Sequence, residues 1–119
     1  MIIGIGTDLV EIERVEKACQ KQSFYTRCFS IREQKLINNN WTKAAGNWAV
    51  KESVGKSFGT GISGFALTDI EVLRNQQGKP YVELSNRALE LSKQLEVNTI
   101  HVTISNTKSY AMAYVIAEK

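Results

Sequence analysis

Glu52 and Lys56 stand four residues apart in a stretch, Thr42 to Phe58, with a helical pattern. Trp41, Ala44, Ala45 and Trp48 draw its apolar stripe. Steps of four from Trp48 carry that stripe to Glu52 and then to Lys56. A Glu four residues before a Lys is also the ordinary surface pair of a solvated helix, contributing a few tenths of a kcal/mol. On an inward face a carboxylate instead requires a cation or a metal beside it. Lys51 falls off the stripe and is expected to be a solvated charge.

Asp8 is the second residue that stands out. Residues 2–10 are rich in Ile and Val with period two, the pattern of a strand, and aspartate is disfavoured there. Alternation puts Ile3 and Ile5 on one face and Asp8 with Ile2, Gly4 and Gly6 on the other. The glycines leave room for another backbone or a ligand. The plain role for Asp8 is N-cap of a helix starting near Val10 or Glu11. The chemical one joins it to Glu52: two carboxylates suit Mg²⁺, which completes its octahedron with water and phosphate oxygens. That requires the fold, or a neighbouring subunit, to bring the two together.

Other candidates are weaker. Gly78-Lys79-Pro80 is a tight turn with a cation at its tip, and Gly59-Thr60-Gly61 lacks the full phosphate-loop pattern. His101 is the only histidine, which excludes a His-rich metal site, and it alternates with Ile100 and Val102 in a strand pattern. A structural role suits it better than catalysis.

The elements that must position these residues follow from periodicity and punctuation. A helix is expected over Glu11–Gln22, with Ile12, Val15 and Cys19 on one stripe and Arg14, Lys17 and Lys21 on another. Phe24 to Phe29 reads as a short turn or helix. Ser30 with Glu33 signals a capping box for a helix over Ile31–Ile37, ended by Asn38-Asn39-Asn40. Gly59-Thr60-Gly61 stops the Thr42–Phe58 helix. Strands over Thr68–Arg74 and Pro80–Leu84 flank a turn, Ser85 caps a helix bearing Ala88, Leu91 and Leu95, and a hairpin over Thr99–Ser105 and Tyr110–Ile116 closes the chain. This order predicts an α+β fold, a single compact domain over residues 1–119, with mostly antiparallel sheet packed against helices.

At 119 residues, two domains would each be marginal. The net charge of +3 is unevenly spread: Arg14 to Lys43 carries a net +5, leaving −2 for the rest. Such a segment points to an acidic partner, whether protein, phosphate or nucleic acid, or to an ordinary solvated surface. Cys19 and Cys28 form no C-x-x-C pair and are expected to be buried and unbridged in a reducing compartment. No run approaches the roughly 18 apolar residues of a membrane span, and the glycine-broken start is no signal peptide. The expectation is a cytoplasmic protein without membrane contact.

Taken together, the motifs resemble the holo-[acyl-carrier-protein] synthase family, the small 4′-phosphopantetheinyl transferases. Gly4-Ile5-Gly6-Thr7-Asp8-Leu9-Val10-Glu11-Ile12 matches the family's opening G-x-D strand. Trp48-Ala49-Val50-Lys51-Glu52-Ser53-Val54-Gly55-Lys56 matches its W/F-x-x-K-E-x-x-x-K signature, continued by Phe58 to Ile62. Gly78-Lys79-Pro80 and the hairpin His101 to Ser105 with Tyr110-Ala111 complete the likeness. The resemblance implies transfer of 4′-phosphopantetheine from coenzyme A to a serine of apo acyl carrier protein, releasing 3′,5′-ADP, in fatty acid biosynthesis. It implies Asp8, Glu52 and Lys56 as catalytic residues, with Asp8 and Glu52 as Mg²⁺ ligands. Lys56, Gly59, Thr60, Gly61, Lys79 and Asn106 would lie near the coenzyme, and Arg14, Lys21, Phe24 and Arg27 would dock the carrier protein. It also implies a homotrimer with sites between subunits.

Asn47 and Asn106 depart from this pattern, standing where many members have arginine and histidine near coenzyme phosphates. That predicts weaker coenzyme A binding with the chemistry kept. The alternative is a non-catalytic basic module for an acidic protein or RNA. Against it, no RNA-binding signature is present and the aromatics do not interleave with the basic residues.

Overall fold

The computed structural model describes residues 1–119. Strand β1 (Ile2–Glu11) leads into helices α1 (Ile12–Cys19), α2 (Gln22–Cys28), α3 (Ile31–Ile37) and α4 (Trp41–Ser57). A 3₁₀ turn (Leu67–Asp69) precedes β2 (Ile70–Arg74) and β3 (Pro80–Leu84), then come α5 (Asn86–Gln94), β4 (Thr99–Asn106) and β5 (Tyr110–Glu118). One sheet has the order β1-β5-β4 and the other is the β2-β3 hairpin, with all pairings antiparallel. The α+β expectation with antiparallel sheet holds.

Small residues decide how closely the layers approach. On the inner face of β1, a Cβ added at Gly4 would lie 1.9 Å from the Ser57 carbonyl oxygen, and one at Gly6 1.9 Å from that of Ser53. The strand therefore rests directly on the backbone of α4. Ala111, Ala113 and Ala117 of β5 are buried on the same inner face. Helix α4 joins two cores. Ala49, Val50 and Val54 pack with Ile70, Val72 and Val115, while Ala44 and Ala45 pack with Val15, Cys19, Cys28 and Phe29.

Several expectations are corrected. The extra residue of a β-bulge lies between Ile2 and Gly4, so Ile3 packs against the core while Ile2 and Ile5 face out. The helix expected over Glu11–Gln22 ends at Cys19 because Lys21 is extended. In one continuous helix Cys28 would point about 180° from Cys19; the break lets both face the core, where both thiols are free and buried. Asp8 is no N-cap: that position belongs to Glu11, whose side chain makes no capping bond. The Ser30–Glu33 capping box forms over Ile31–Ile37 as its spacing indicates, and Asn38 ends the helix in the left-handed region. The strand expected from Thr68 starts at Ile70, after the 3₁₀ turn. Ser85 occupies the N-cap of α5 without a side-chain bond, its amide donating to the Asp69 carbonyl at 2.9 Å.

The largest correction concerns Lys51, which is fully buried. Helix α4 is covered on most sides, so Trp41 and Trp48 mark a boundary of the buried surface and not its centre. Glu52 is half-buried on that boundary.

Candidate active site

Strand β1 and helices α1, α2 and α4 line a cavity of about 620 Å³. Asp8, Glu52 and Lys56 converge on it, with Glu11 and Arg14 from the β1–α1 junction. Val15, Phe24, Trp48 and Tyr110 contribute apolar lining. The glycine contacts explain the convergence. Because β1 lies on the backbone of α4, Asp8, two residues beyond Gly6, reaches the helix one turn from Ser53 within a single chain.

The Lys56 ammonium lies 3.6 Å from Asp8 Oδ1 and donates to the Thr7 carbonyl at 2.8 Å. Its side chain is 51% exposed, so it remains reachable by an anion. Asp8 Oδ2 is buried and receives no hydrogen bond. Burial lifts the Asp8 carboxyl above its ordinary range, with Lys56 pulling the other way. Burial also lifts Glu52, and the nearby Asp8 charge lifts it further. Two carboxylates raised by burial, one with an unsatisfied acceptor oxygen, make a site short of positive charge. That donor set fits a hard divalent cation held by two carboxylates and otherwise by water and phosphate oxygens. No further histidine, cysteine or carboxylate closes it into a cage.

Arg14 and Phe24 line the same cavity. The Arg27 guanidinium lies 5.9 Å from the Phe24 ring centroid, and Phe24 packs on Trp48 with centroids 5.8 Å apart and the rings tilted by 39°. Aromatic and basic residues are therefore interleaved here, contrary to the sequence reading: the break at Lys21 swings Phe24 and Arg27 onto the cavity flank. Lys21 is exposed at that break. Not all of the basic segment is free. Arg32 is bound to Glu71 at 2.7 Å and Glu83 at 2.5 Å, and Lys17 to Glu13 at 3.3 Å.

Gly59, Thr60, Gly61, Lys79 and Asn106 lie outside this cavity. The glycine loop folds back on α4, with the Thr60 and Gly61 amides donating to the Gly55 carbonyl at 3.2 and 3.0 Å. Lys79 is exposed in the β2–β3 turn, its amide held by Asn75 Oδ1 at 2.9 Å, and Asn106 is exposed at the end of β4. Asn47 is fully buried, donating to Glu33 Oε2 at 3.0 Å and to the Val72 carbonyl at 2.9 Å. It faces the core, so a direct contact with a coenzyme phosphate is ruled out for it. His101 is exposed and pairs with Glu118 at 2.8 Å.

The cavity roles of Glu11, Trp48 and Tyr110, and the buried partnership of Glu33, Asn47 and Lys51, escaped the sequence reading. For Glu33 a signal existed, since the capping box employs one carboxylate oxygen and leaves the other to be satisfied.

The family model for the 4′-phosphopantetheinyl transferase superfamily matches residues 4–115. A holo-[acyl-carrier-protein] synthase of Lachnoclostridium phytofermentans is 52% identical over 118 residues, covering 99% of this chain and 97% of that one. The Helicobacter pylori holo-[acyl-carrier-protein] synthase, solved in complex with coenzyme A, superposes with a TM-score of 0.86 at 29% identity, over 96% of this chain and 99% of that one. The Bacillus anthracis enzyme, solved in complex with CoA (3′,5′-ADP), gives 0.80 at 31% identity, over 98% and 96%. Agreement of this extent in sequence and fold makes the chain an enzyme of the holo-[acyl-carrier-protein] synthase family, within the 4′-phosphopantetheinyl transferase superfamily.

Proposed function

We propose that this enzyme transfers 4′-phosphopantetheine from coenzyme A to a serine hydroxyl of apo acyl carrier protein, releasing 3′,5′-ADP, with Mg²⁺ required. The observation that carries this reading is the convergence of Asp8, Glu52 and Lys56 on one cavity flanked by Arg14, Phe24 and Arg27. The relatives solved with coenzyme A support the donor, and the carrier protein named in their activity supports the acceptor.

Asp8 and Glu52 would hold the ion. When bound, Mg²⁺ supplies a Lewis acid that orients the coenzyme pyrophosphate and offsets its charge. The serine oxygen attacks the β-phosphorus as its O–H bond breaks and the proton is released; the bond from phosphorus to the bridging oxygen breaks, and 3′,5′-ADP leaves with that electron pair. Lys56, anchored by Thr7 and Asp8 with its side chain half exposed, is placed to neutralise charge developing on the leaving phosphate. The apolar side of the cavity excludes water from the reacting groups.

Arg14, Lys21 and Arg27 would steer the acidic carrier protein, with Phe24 as an apolar anchor. The outward face of the β1-β5-β4 sheet exposes Ile5 (56%), Leu9 (66%) and Tyr114 (37%), more apolar surface than one sheet face usually leaves to water. This supports a homotrimer built on that face, in which Lys79, Asn106 and the Gly59–Gly61 loop reach the coenzyme from a neighbouring subunit. No helix is long and apolar enough to cross a membrane. The role proposed for the enzyme is a cytoplasmic one in fatty acid biosynthesis.

Thermal melting tests the site directly. A ligand selective for the folded state at about 100 times its Kd stabilises it by about 2.7 kcal/mol. Coenzyme A with Mg²⁺ should raise the Tm more than the two separate increments together, and Glu52→Ala should lose that excess. Additive increments in the wild type contradict a shared site.

A further inference from the structure

The transfer chemistry leaves one buried charged cluster unused. Glu33 and Lys51 both have fully buried side chains and form an ion pair at 2.8 Å. Lys51 Nζ also donates to the Leu67 carbonyl at 2.8 Å and to the Ile70 carbonyl, so each of its three hydrogens has an acceptor. Glu33 Oε1 accepts from the Ser30 amide at 3.1 Å. Its Oε2 accepts from Asn47 Nδ2 at 3.0 Å and from the Val72 amide at 3.3 Å. The cluster thus ties α3, α4, the 3₁₀ turn and β2 together at one point.

Net stability is a poor reason for this arrangement. Taking two charges out of water is unfavourable, and apolar side chains of like volume often serve as well. What an ion pair with saturated hydrogen bonds adds is direction. Helix α4 needs that, because its buried surface extends around most of its circumference and, Val50 and Val54 apart, its apolar and uncharged contacts are mostly small: Ala44, Ala45, Gly46, Ala49, Ser53 and Gly55. Such a surface lacks the single apolar stripe that normally sets a helix's rotation. Lys51 reaches from α4 to two fixed carbonyls and to a carboxylate that α3 already holds.

Glu52 follows Lys51 directly and Lys56 lies five residues on. Their side chains ride at a radius of about 5–6 Å from the helix axis. A rotation of α4 by about 20° would therefore displace them by roughly 2 Å, where a misplacement of about 1 Å can lower a rate about 10²-fold.

We infer that Glu33 and Lys51 are positioning residues of the transferase: the buried pair sets the rotation of α4 and thereby aims Glu52 and Lys56 at Asp8. This rests on the function proposed above. Two variants test it, Glu33→Gln and the double variant Glu33→Met/Lys51→Met. Each is assayed at a temperature where circular dichroism shows it folded. Mn²⁺ binding by electron paramagnetic resonance, in the absence of coenzyme A, gives a readout independent of turnover. Expected are a kcat lowered by about 10²-fold with the carrier-protein KM little changed, and a weakened Mn²⁺ affinity. A folded variant with wild-type kcat and Mn²⁺ affinity overturns the inference and leaves the pair a structural feature only. Should the double variant not fold, Glu33→Gln decides, since it preserves shape and keeps one accepting oxygen, while its amide nitrogen cannot accept the two bonds made at the other. A wild-type enzyme that fails to transfer phosphopantetheine would sink the functional reading instead, and the Mn²⁺ comparison would still judge the pair.

Discussion

Replacing Gly6 by alanine should disable the enzyme without touching a charged group. The new Cβ would sit 1.9 Å from the Ser53 carbonyl oxygen and 3.1 Å from Lys56 Cβ. Cβ atoms essentially never approach another heavy atom closer than 3.0 Å. Neither backbone can rotate the clash away, because β1 is bound along its length to β5 and Ser53 lies inside α4. The strand and helix must separate by about 1 Å, and overpacking of this kind costs about 1–3 kcal/mol. At this chain length each kcal/mol lowers the Tm by roughly 3–6 °C. The same separation pulls Asp8 away from Glu52 and Lys56, so transfer should fall by about 10²-fold even where the variant is folded. Gly4→Ala, which meets the Ser57 carbonyl oxygen at 1.9 Å, should lose comparable stability but less activity, since it lies further from Asp8. Melting curves with steady-state transfer at varied Mg²⁺ separate the two effects. Gly6→Ala with wild-type turnover and Mg²⁺ dependence would refute the claim that this contact positions the site.

Four further outcomes are expected. Asp8 has a carboxyl raised by burial, so its contribution favours folding below the unfolded carboxylate range and is lost as pH rises through its folded value. Asp8→Asn should therefore raise the Tm of the metal-free protein near pH 7, lose that advantage in acid, and abolish transfer; a lowered Tm near pH 7 contradicts this. Arg14→Glu should weaken carrier-protein binding and flatten its salt dependence, whereas Arg32→Ala should change neither, because Glu71 and Glu83 already hold that guanidinium; titrations at two salt concentrations distinguish them. Asn47→Arg should lower the Tm by forcing a guanidinium into a fully buried position, so that a stable variant with tighter coenzyme A binding would overturn the core placement. Ile5→Glu, on the exposed sheet face, should break the proposed trimer, so that light scattering reads the mass of a monomer; an unchanged mass contradicts that assembly.

The Ser30–Glu33 box and the turn at Gly78 are legible because each is a local pattern with a local cause, and the alternation of β1 is legible only beyond its bulge at Ile3. The role of Gly4 and Gly6 was readable in kind, as room for another backbone, though only the fold shows that the backbone belongs to α4. Lys51 reads as a solvated charge because a stripe drawn from Trp41 and Trp48 assumes one buried side, and α4 has more than one. The sequence puts the break between Gln22 and Phe24, whereas the structure has it at Gln20–Lys21, because Ile12, Val15 and Cys19 fit a helix equally well whether it stops at Cys19 or at Gln22. Asp8, Glu52 and Lys56 were each singled out from local pattern. Their meeting is a consequence of strand-on-helix packing between residues more than forty positions apart, which no spacing rule expresses.

The reaction proposed for this enzyme is a metal-dependent transfer carried by Asp8, Glu52 and Lys56. Intact mass spectrometry of an apo acyl carrier protein, incubated with this enzyme, coenzyme A and Mg²⁺, tests it most directly beside an EDTA control and the Glu52→Gln variant. The expected result is a gain of one phosphopantetheine on the carrier protein with wild-type enzyme, absent with EDTA and nearly absent with Glu52→Gln. Transfer that persists in EDTA, or at full rate in Glu52→Gln, would contradict it.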